Sequence, residues 1–404
     1  MNVGVICELN PLHNGHAALF DRAKRLENGG NSVIAVMSGN YTQRGEPAIL
    51  DKWRRTAMAL SAGADMVLEI PSVFAQQSAQ FFADAAVDII LKTGLCDAIL
   101  FGSESGDIGL LEELAEKRVG GSSQDSLKEL LDSGLSYPRA LAAFYGRDLG
   151  ANDILGVEYL VALKKRGSGL KAYAMKRIGN AVHTGDVIPE GCLDVTSAAS
   201  IRKAVREDPS DTGYLDFLMP EYAAKVLREA LSSGDYVPSL SAYSPLIIGK
   251  LREIRPSGIG EFPFAAGGIG ECIYKAACET SDVDTLIARA TSRTFTSGRI
   301  RRIILATLTG ARKDMISDVN ALPYIRVLGV SKKSEGLLSA LVKNGFPGSP
   351  VIAGNIPKNF REMFPENIAR LLSCETLATD YYYLGMANKN GVAGKELTTP
   401  LVKL

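Results

Sequence analysis

Four short apolar runs recur through the first hundred residues, at 3–6, 33–37, 66–70 and 98–101. Runs of four or five residues bounded by turn formers read as buried strands. Between them, apolar positions return with a helical period over 17–26, 52–62 and 79–92. Strands alternating with helices predict an α/β fold with a doubly wound parallel sheet of Rossmann type. Right-handed crossovers then bring the carboxyl ends of the strands to one edge, where ligands bind in open sheets. A fifth strand is expected over 170–175. The stretch from Asp208 to Gly213 is polar and turn-rich, and beyond Tyr222 the pattern is mainly helical, as at 223–231, 244–254 and 270–278. The expected division is therefore an α/β domain over 1–205 and a mainly helical domain over 206–404, with a short strand at 325–328 and an extended segment at 350–353.

The first predicted strand runs directly into Cys7-Glu8-Leu9-Asn10-Pro11-Leu12-His13-Asn14-Gly15-His16, and a helix follows. A strand-to-helix turn places the first amides of the helix toward the ligand edge, where they favour anions. His13 and His16 can add imidazole donors to the same phosphate, and Gly15 lets a ligand approach the backbone. A His-x-x-His pair also suits a metal, or is simply two polar residues in a turn. No cysteine or carboxylate cluster adjoins it in sequence, so phosphate is the expected ligand and no metal site is assigned. The other candidate positions lie on the same edge. The loop 38–47 carries Arg44, which could meet phosphate or a carboxylate substrate, or be a surface arginine. Gly102 closes the fourth strand, Asn152 opens a helix, and Arg177 ends the fifth strand. A loop over 179–196 contains His183. Ser197-Ala198-Ala199-Ser200-Ile201-Arg202 then starts a helix at which hydroxyls, amides and Arg202 could hold phosphate.

His-Asn-Gly-His after a first strand resembles the His-x-Gly-His signature of the nucleotidyltransferase superfamily. The longer string Glu8 to His16 is similar to that of the bacterial tRNA(Met) cytidine acetate ligases, and the segments 38–55, 152–205 and 293–302 extend the resemblance over essentially the whole chain. The resemblance implies ATP, with magnesium accompanying the triphosphate, and acetate and elongator tRNA(Met) as the other partners. The product would be N4-acetylcytidine at the wobble position, made through an acetyl-adenylate. It also implies His13 and His16 as catalytic residues. The nucleotide contacts would come from Ile6, Cys7, Glu8, Leu9, Asn10, Pro11, Leu12, His13, Asn14, Gly15, His16, Leu19, Gly102, Asn152, Arg177, Ser200 and Arg202. Two other functions fit the residues: a small-molecule nucleotidyltransferase, and a non-catalytic RNA-binding module with an ATP site.

Composition adds mostly exclusions. The 45 basic and 45 acidic residues cancel, so an RNA surface must be local. The best one runs from Thr285 to Lys313, which holds seven basic residues and no acidic one. Ile300, Ile303, Ile304 and Leu308 would bury one helix face there, leaving Arg299, Arg301 and Arg302, with Arg293 before them, directed outward to RNA. The six cysteines are scattered without a Cys-x-x-Cys, which fits a reducing compartment and a cytoplasmic location. No apolar run reaches the ~18 residues that span a bilayer, so no membrane association is expected. Nothing in the sequence specifies an oligomeric state.

Overall fold

The structure is a computed structural model that describes residues 1–133, 135–177, 197–316, 322–345 and 349–404. The expected loop over 179–196, with His183, lies outside the described residues. Eight strands form one sheet: β1 (Asn2–Cys7), β2 (Ser32–Ser38), β3 (Met66–Ile70), β4 (Ala98–Ser103), β5 (Lys171–Lys176), β6 (Ile325–Val330), β7 (Val351–Ala353) and β8 (Val402–Lys403). Their order is β5-β4-β1-β2-β3-β6-β7, with β8 also on β6. The first five strands are mutually parallel, with β1 between β2 and β4. Successive residues of these strands point to opposite faces. Ile6, Ile34, Val36, Leu68 and Ile99 pack on one side, under helices Ala79–Thr93 and Ala151–Lys165. Val3, Val5, Val33, Ala35, Val67 and Leu100 pack on the other, under Asn14–Lys24 and Lys52–Ser61. Near-continuous apolar runs are what a parallel sheet covered on both faces requires.

The expected division at 205/206 does not separate two self-contained layers. β6 pairs antiparallel with β3, and β7 and β8 add to β6, so the sheet is mixed and continues into the C-terminal half. Five charged side chains, each at most 1% exposed, hold that junction. Lys52 pairs with Glu69 of β3, with Glu375 at 3.3 Å, and with Glu396. Arg326 of β6 meets Glu396 at 2.8 Å and Glu69 at 3.7 Å. Burial pushes the Glu69 carboxyl up, to about 8, and the two cations draw Glu396 down, to about 2. These residues come from the first 70 and the last 80 or so positions, too far apart for any local pattern to pair them. What does form a separate helical layer is Ser244–Ile259, Ile269–Glu279, Val283–Ala290 and Ser297–Thr309, packed with Tyr41, Trp53, Ala378 and Tyr382 around a third apolar core. No helix among the described residues is long and apolar enough to cross a membrane.

Candidate functional site

The carboxyl ends of β1 and β2 are fixed by one buried guanidinium. Arg55 donates to the carbonyls of Glu8 (2.6 Å), Ser38 (3.1 Å), Leu50 (3.0 Å) and Gly39. It satisfies carbonyls that leave the strand ends and would otherwise lack partners. Leu9 and Leu12 are wholly buried in the core beneath, and Leu19 packs there too. These leucine side chains are anchors, so any nucleotide contact at Leu9 or Leu12 is made by backbone. Asn10 is equally occupied: its Oδ1 accepts from Ile49 N (2.8 Å) and its carbonyl accepts from Arg202 (2.6 Å).

With the loop pinned at both ends, His13 becomes the N-cap of helix Asn14–Lys24. Its Nδ1 accepts from Gly15 N at 3.0 Å, and His16 Nδ1 accepts from His13 N at 3.3 Å. This reciprocal capping box satisfies two otherwise orphaned donors. It also selects a tautomer. A ring whose Nδ1 accepts must, when neutral, carry its proton on Nε2. The two rings lie 4.0 Å apart, centroid to centroid, tilted by 37°. Burial, reinforced by Arg177, holds His13 far below its ordinary pKa, at about 3. Burial, His13 and Arg177 hold His16 well below its own. At neutral pH the pair is therefore two uncharged Nε2–H donors beside a helix N-terminus and a guanidinium. That is a set suited to phosphate oxygens.

Arg177 follows β5, with its amide on Ser103 O at 2.9 Å. Among the described residues its guanidinium has no acidic partner. A Cβ on Gly102 would meet only Arg177 Cγ, at 3.7 Å, an ordinary contact. Packing alone thus does not demand glycine there, and close approach of a ligand would. The structure brings Ile6, Cys7, Glu8, His13, Gly15, His16, Gly102 and Arg177 to the one edge formed by β1, β4 and β5.

Other candidates have structural partners that the sequence pattern did not reveal. Asn152 donates to Glu104 at 2.7 Å, and Glu104 also accepts from the amides of Asn152 (3.2 Å) and Asp153 (2.9 Å), capping helix Ala151–Lys165. Asn14 donates to Phe217 O at 2.9 Å. Ser200 donates back to Ser197 O at 2.7 Å, within the first turn of helix Ala198–Glu207. Arg202, besides holding Asn10, lies 3.7 Å from Glu46.

Glu46 alters the reading of the basic run. Its other oxygen pairs with Arg301 at 2.6 Å. Gly45, at φ +76°, fits against the backbone of Arg301 and Arg302, where a Cβ would come within 3.0 Å. The expectation that Arg299, Arg301 and Arg302 point mostly outward is corrected. Arg299 donates to the carbonyls of Phe264 (2.7 Å) and Ala266 (2.7 Å), and Arg302 lies over the Phe264 ring at 5.6 Å. Burial pushes the Arg302 guanidinium down, to about 10. Only Arg293 of the four is exposed and without a partner among the described residues. The helical period over Ser297–Thr309 could place Arg299, Arg301 and Arg302 on a helix but not see Phe264, Ala266 or Glu46 across from them.

Residues 1–396 match the model of the HIGH Nucleotidyl Transferase family. The chain is 35% identical to the tRNA(Met) cytidine acetate ligase of Acetivibrio thermocellus, over 99% of both chains. It is 35% identical to that of Caldanaerobacter subterraneus subsp. tengcongensis, over 100% of this chain and 99% of the relative. The fold is similar to the crystal structure of Thermotoga maritima TmcAL bound with alpha-thio ATP, with a TM-score of 0.87 and 28% identity, covering 100% of this chain and 99% of that one.

Proposed function

Because the chain belongs to the HIGH nucleotidyl transferases and, within them, to the tRNA(Met) cytidine acetate ligase family, we propose that it ligates acetate to the wobble cytidine of elongator tRNA(Met) at the expense of ATP. The observation that carries this reading is the pair of neutral Nε2–H histidines at the end of β1, beside Arg177, which has no acidic partner among the described residues.

Acetate is a poor acyl donor because oxide is a poor leaving group. Attack of its oxygen on the α-phosphorus of ATP expels pyrophosphate and yields acetyl-adenylate. Attack of the cytidine N4 on the activated carbonyl then expels AMP. His13 and His16 donate to phosphate oxygens on which charge grows, and Arg177 neutralises them, so catalysis rests on positioning and charge stabilisation. No covalent nucleophile is needed: Cys7, the one thiol at the site, is pushed by burial up to about 12. Magnesium enters as part of the nucleotide substrate. Among the described residues the one carboxylate cluster with metal-ligand spacing is Glu69, Glu375 and Glu396, and Lys52 and Arg326 already neutralise it.

Arg293, with the helix Ser297–Thr309 behind it, is the proposed RNA contact. Glu46, which pairs with Arg301 of that helix and lies 3.7 Å from Arg202, links the helix to the nucleotide edge. The test is incubation with radiolabelled acetate, ATP and unmodified tRNA(Met). The reading requires label in N4-acetylcytidine with AMP and pyrophosphate as by-products. Label transfer without ATP, or release of ADP, would refute it.

A further inference from the structure

Glu8 stands immediately before the histidine turn, at the carboxyl end of β1. Its Oε1 accepts from Gln43 N at 2.7 Å. No described residue donates a hydrogen bond to its Oε2, and the side chain is only partly buried. A free carboxylate oxygen opposes the binding of a polyphosphate, so its placement at this edge calls for a chemical use.

The second half-reaction has one. The exocyclic amine of cytidine, once bonded to the acyl carbon, carries a proton that must leave. The neighbouring groups cannot take it. His13 and His16 have their Nδ1 atoms occupied by backbone N–H groups and protons on Nε2. Arg44, Arg55, Arg177 and Arg202 are cations without an acceptor. Cys7 stays a thiol, and burial likewise keeps the Tyr159 hydroxyl, which faces Glu8 and Cys7, un-ionised. Glu46 is paired with Arg301 and lies 3.7 Å from Arg202, and both oxygens of Glu104 accept from the first turn of helix Ala151–Lys165. Among the described residues this leaves Glu8 as the carboxylate with an oxygen free.

We propose that Glu8 is the catalytic proton acceptor for transfer of the acetyl group to the cytidine amine. The N4 lone pair forms the C–N bond to the acyl carbon. The acyl C–O bond to the adenylate breaks, with its electrons leaving on AMP, and the N4 proton passes to Glu8 Oε2 and then to water. Burial raises this carboxyl above its usual range, while the Gln43 amide and then Arg44, Arg202 and Arg55 limit the rise. That direction brings a base closer to neutral working conditions.

This role rests on the ligase reading, and the experiment separates the two. Acetyl-adenylate is formed on the enzyme, tRNA(Met) is added, and single-turnover transfer is followed against pH for the wild type, Glu8→Gln and Glu8→Asp. Pyrophosphate exchange is measured in parallel. Glutamine can still accept from Gln43 N, so the loop keeps its anchor. Transfer in the wild type should rise with pH to a plateau as the carboxyl ionises. In Glu8→Gln the ratio of transfer to exchange should fall by about 10²–10³-fold and the pH limb should vanish. Glu8→Asp should keep the limb at a lower plateau. Equal loss of both half-reactions in Glu8→Gln, or survival of the limb, would overturn the assignment. Absence of acetate-dependent exchange in the wild type would refute the ligase reading, and this role with it.

Discussion

Replacing His13 should separate its two tasks, because its ring caps a helix with one nitrogen and presents the other to the site. His13 is 3% exposed and its Nδ1 holds Gly15 N. Alanine removes both the cap and the donor. Loss of the cap costs about 0.5–2 kcal/mol of stability, and loss of a donor to developing charge costs about 10²–10³ in rate. Asparagine is among the best N-cap residues and can restore the bond to Gly15 N, but it cannot deliver a donor where Nε2 lies. His13→Asn should therefore unfold in urea within about 1 kcal/mol of the wild type, while acetyl-adenylate formation falls as far as in His13→Ala. The assays are equilibrium denaturation and single-turnover adenylate formation on the same preparations. Near-normal adenylate formation by His13→Asn would show that the histidine matters only as a cap. A deficit that tracked stability across both variants would show the same.

Arg177→Ala should weaken ATP binding by at least tenfold and leave tRNA affinity nearly unchanged, as titration of each ligand would report; selective loss of tRNA affinity would misplace the residue. Arg293→Gln should reduce the salt slope of tRNA binding by about one unit with no change in thermal stability, whereas changing Arg299, which braces Phe264 and Ala266, should lower stability as well. Lys52→Met leaves three buried carboxylates facing Arg326 alone and should destabilise by about 3–5 kcal/mol in urea unfolding; a change below 1 kcal/mol would remove the cluster from the stability account. His13 and His16 have depressed pKa values in the folded state, so the unfolded chain binds more protons below pH 6.5. Stability should fall as pH drops from about 6.5 toward 3, by up to about 1.4 kcal/mol per pH unit for each ring; a flat profile in that window, relative to His13→Asn, would contradict the burial of the rings.

The parallel half of the sheet was readable because burial on both faces leaves an unmistakable apolar run: 66–70 was placed to the residue, and the other four parallel strands within two residues at either end. The antiparallel addition of β6 to β3, and of β8 to β6, were not readable, since pairing between segments far apart in sequence leaves no local period. The histidine turn was legible from residue types and position. Its tautomer was not, because that depends on which backbone amide each Nδ1 meets. Charge spacing located the arginines near 300 but could not show that Glu46, brought in by a loop 255 positions away, takes one of them. Residues such as Asn10, Asn14 and Asn152 are of a type that serves ligand contact and backbone support alike, and the partners each holds within the protein left no local signal in the sequence.

In the proposed reaction, the edge formed by β1, β4 and β5 activates acetate by adenylation. The most direct test is exchange of labelled pyrophosphate into ATP by the wild-type protein in the absence of tRNA, with and without acetate. Exchange that saturates with acetate and is lost in His16→Ala is the predicted result. Exchange that proceeds equally without acetate, or no exchange at any acetate concentration, would contradict it.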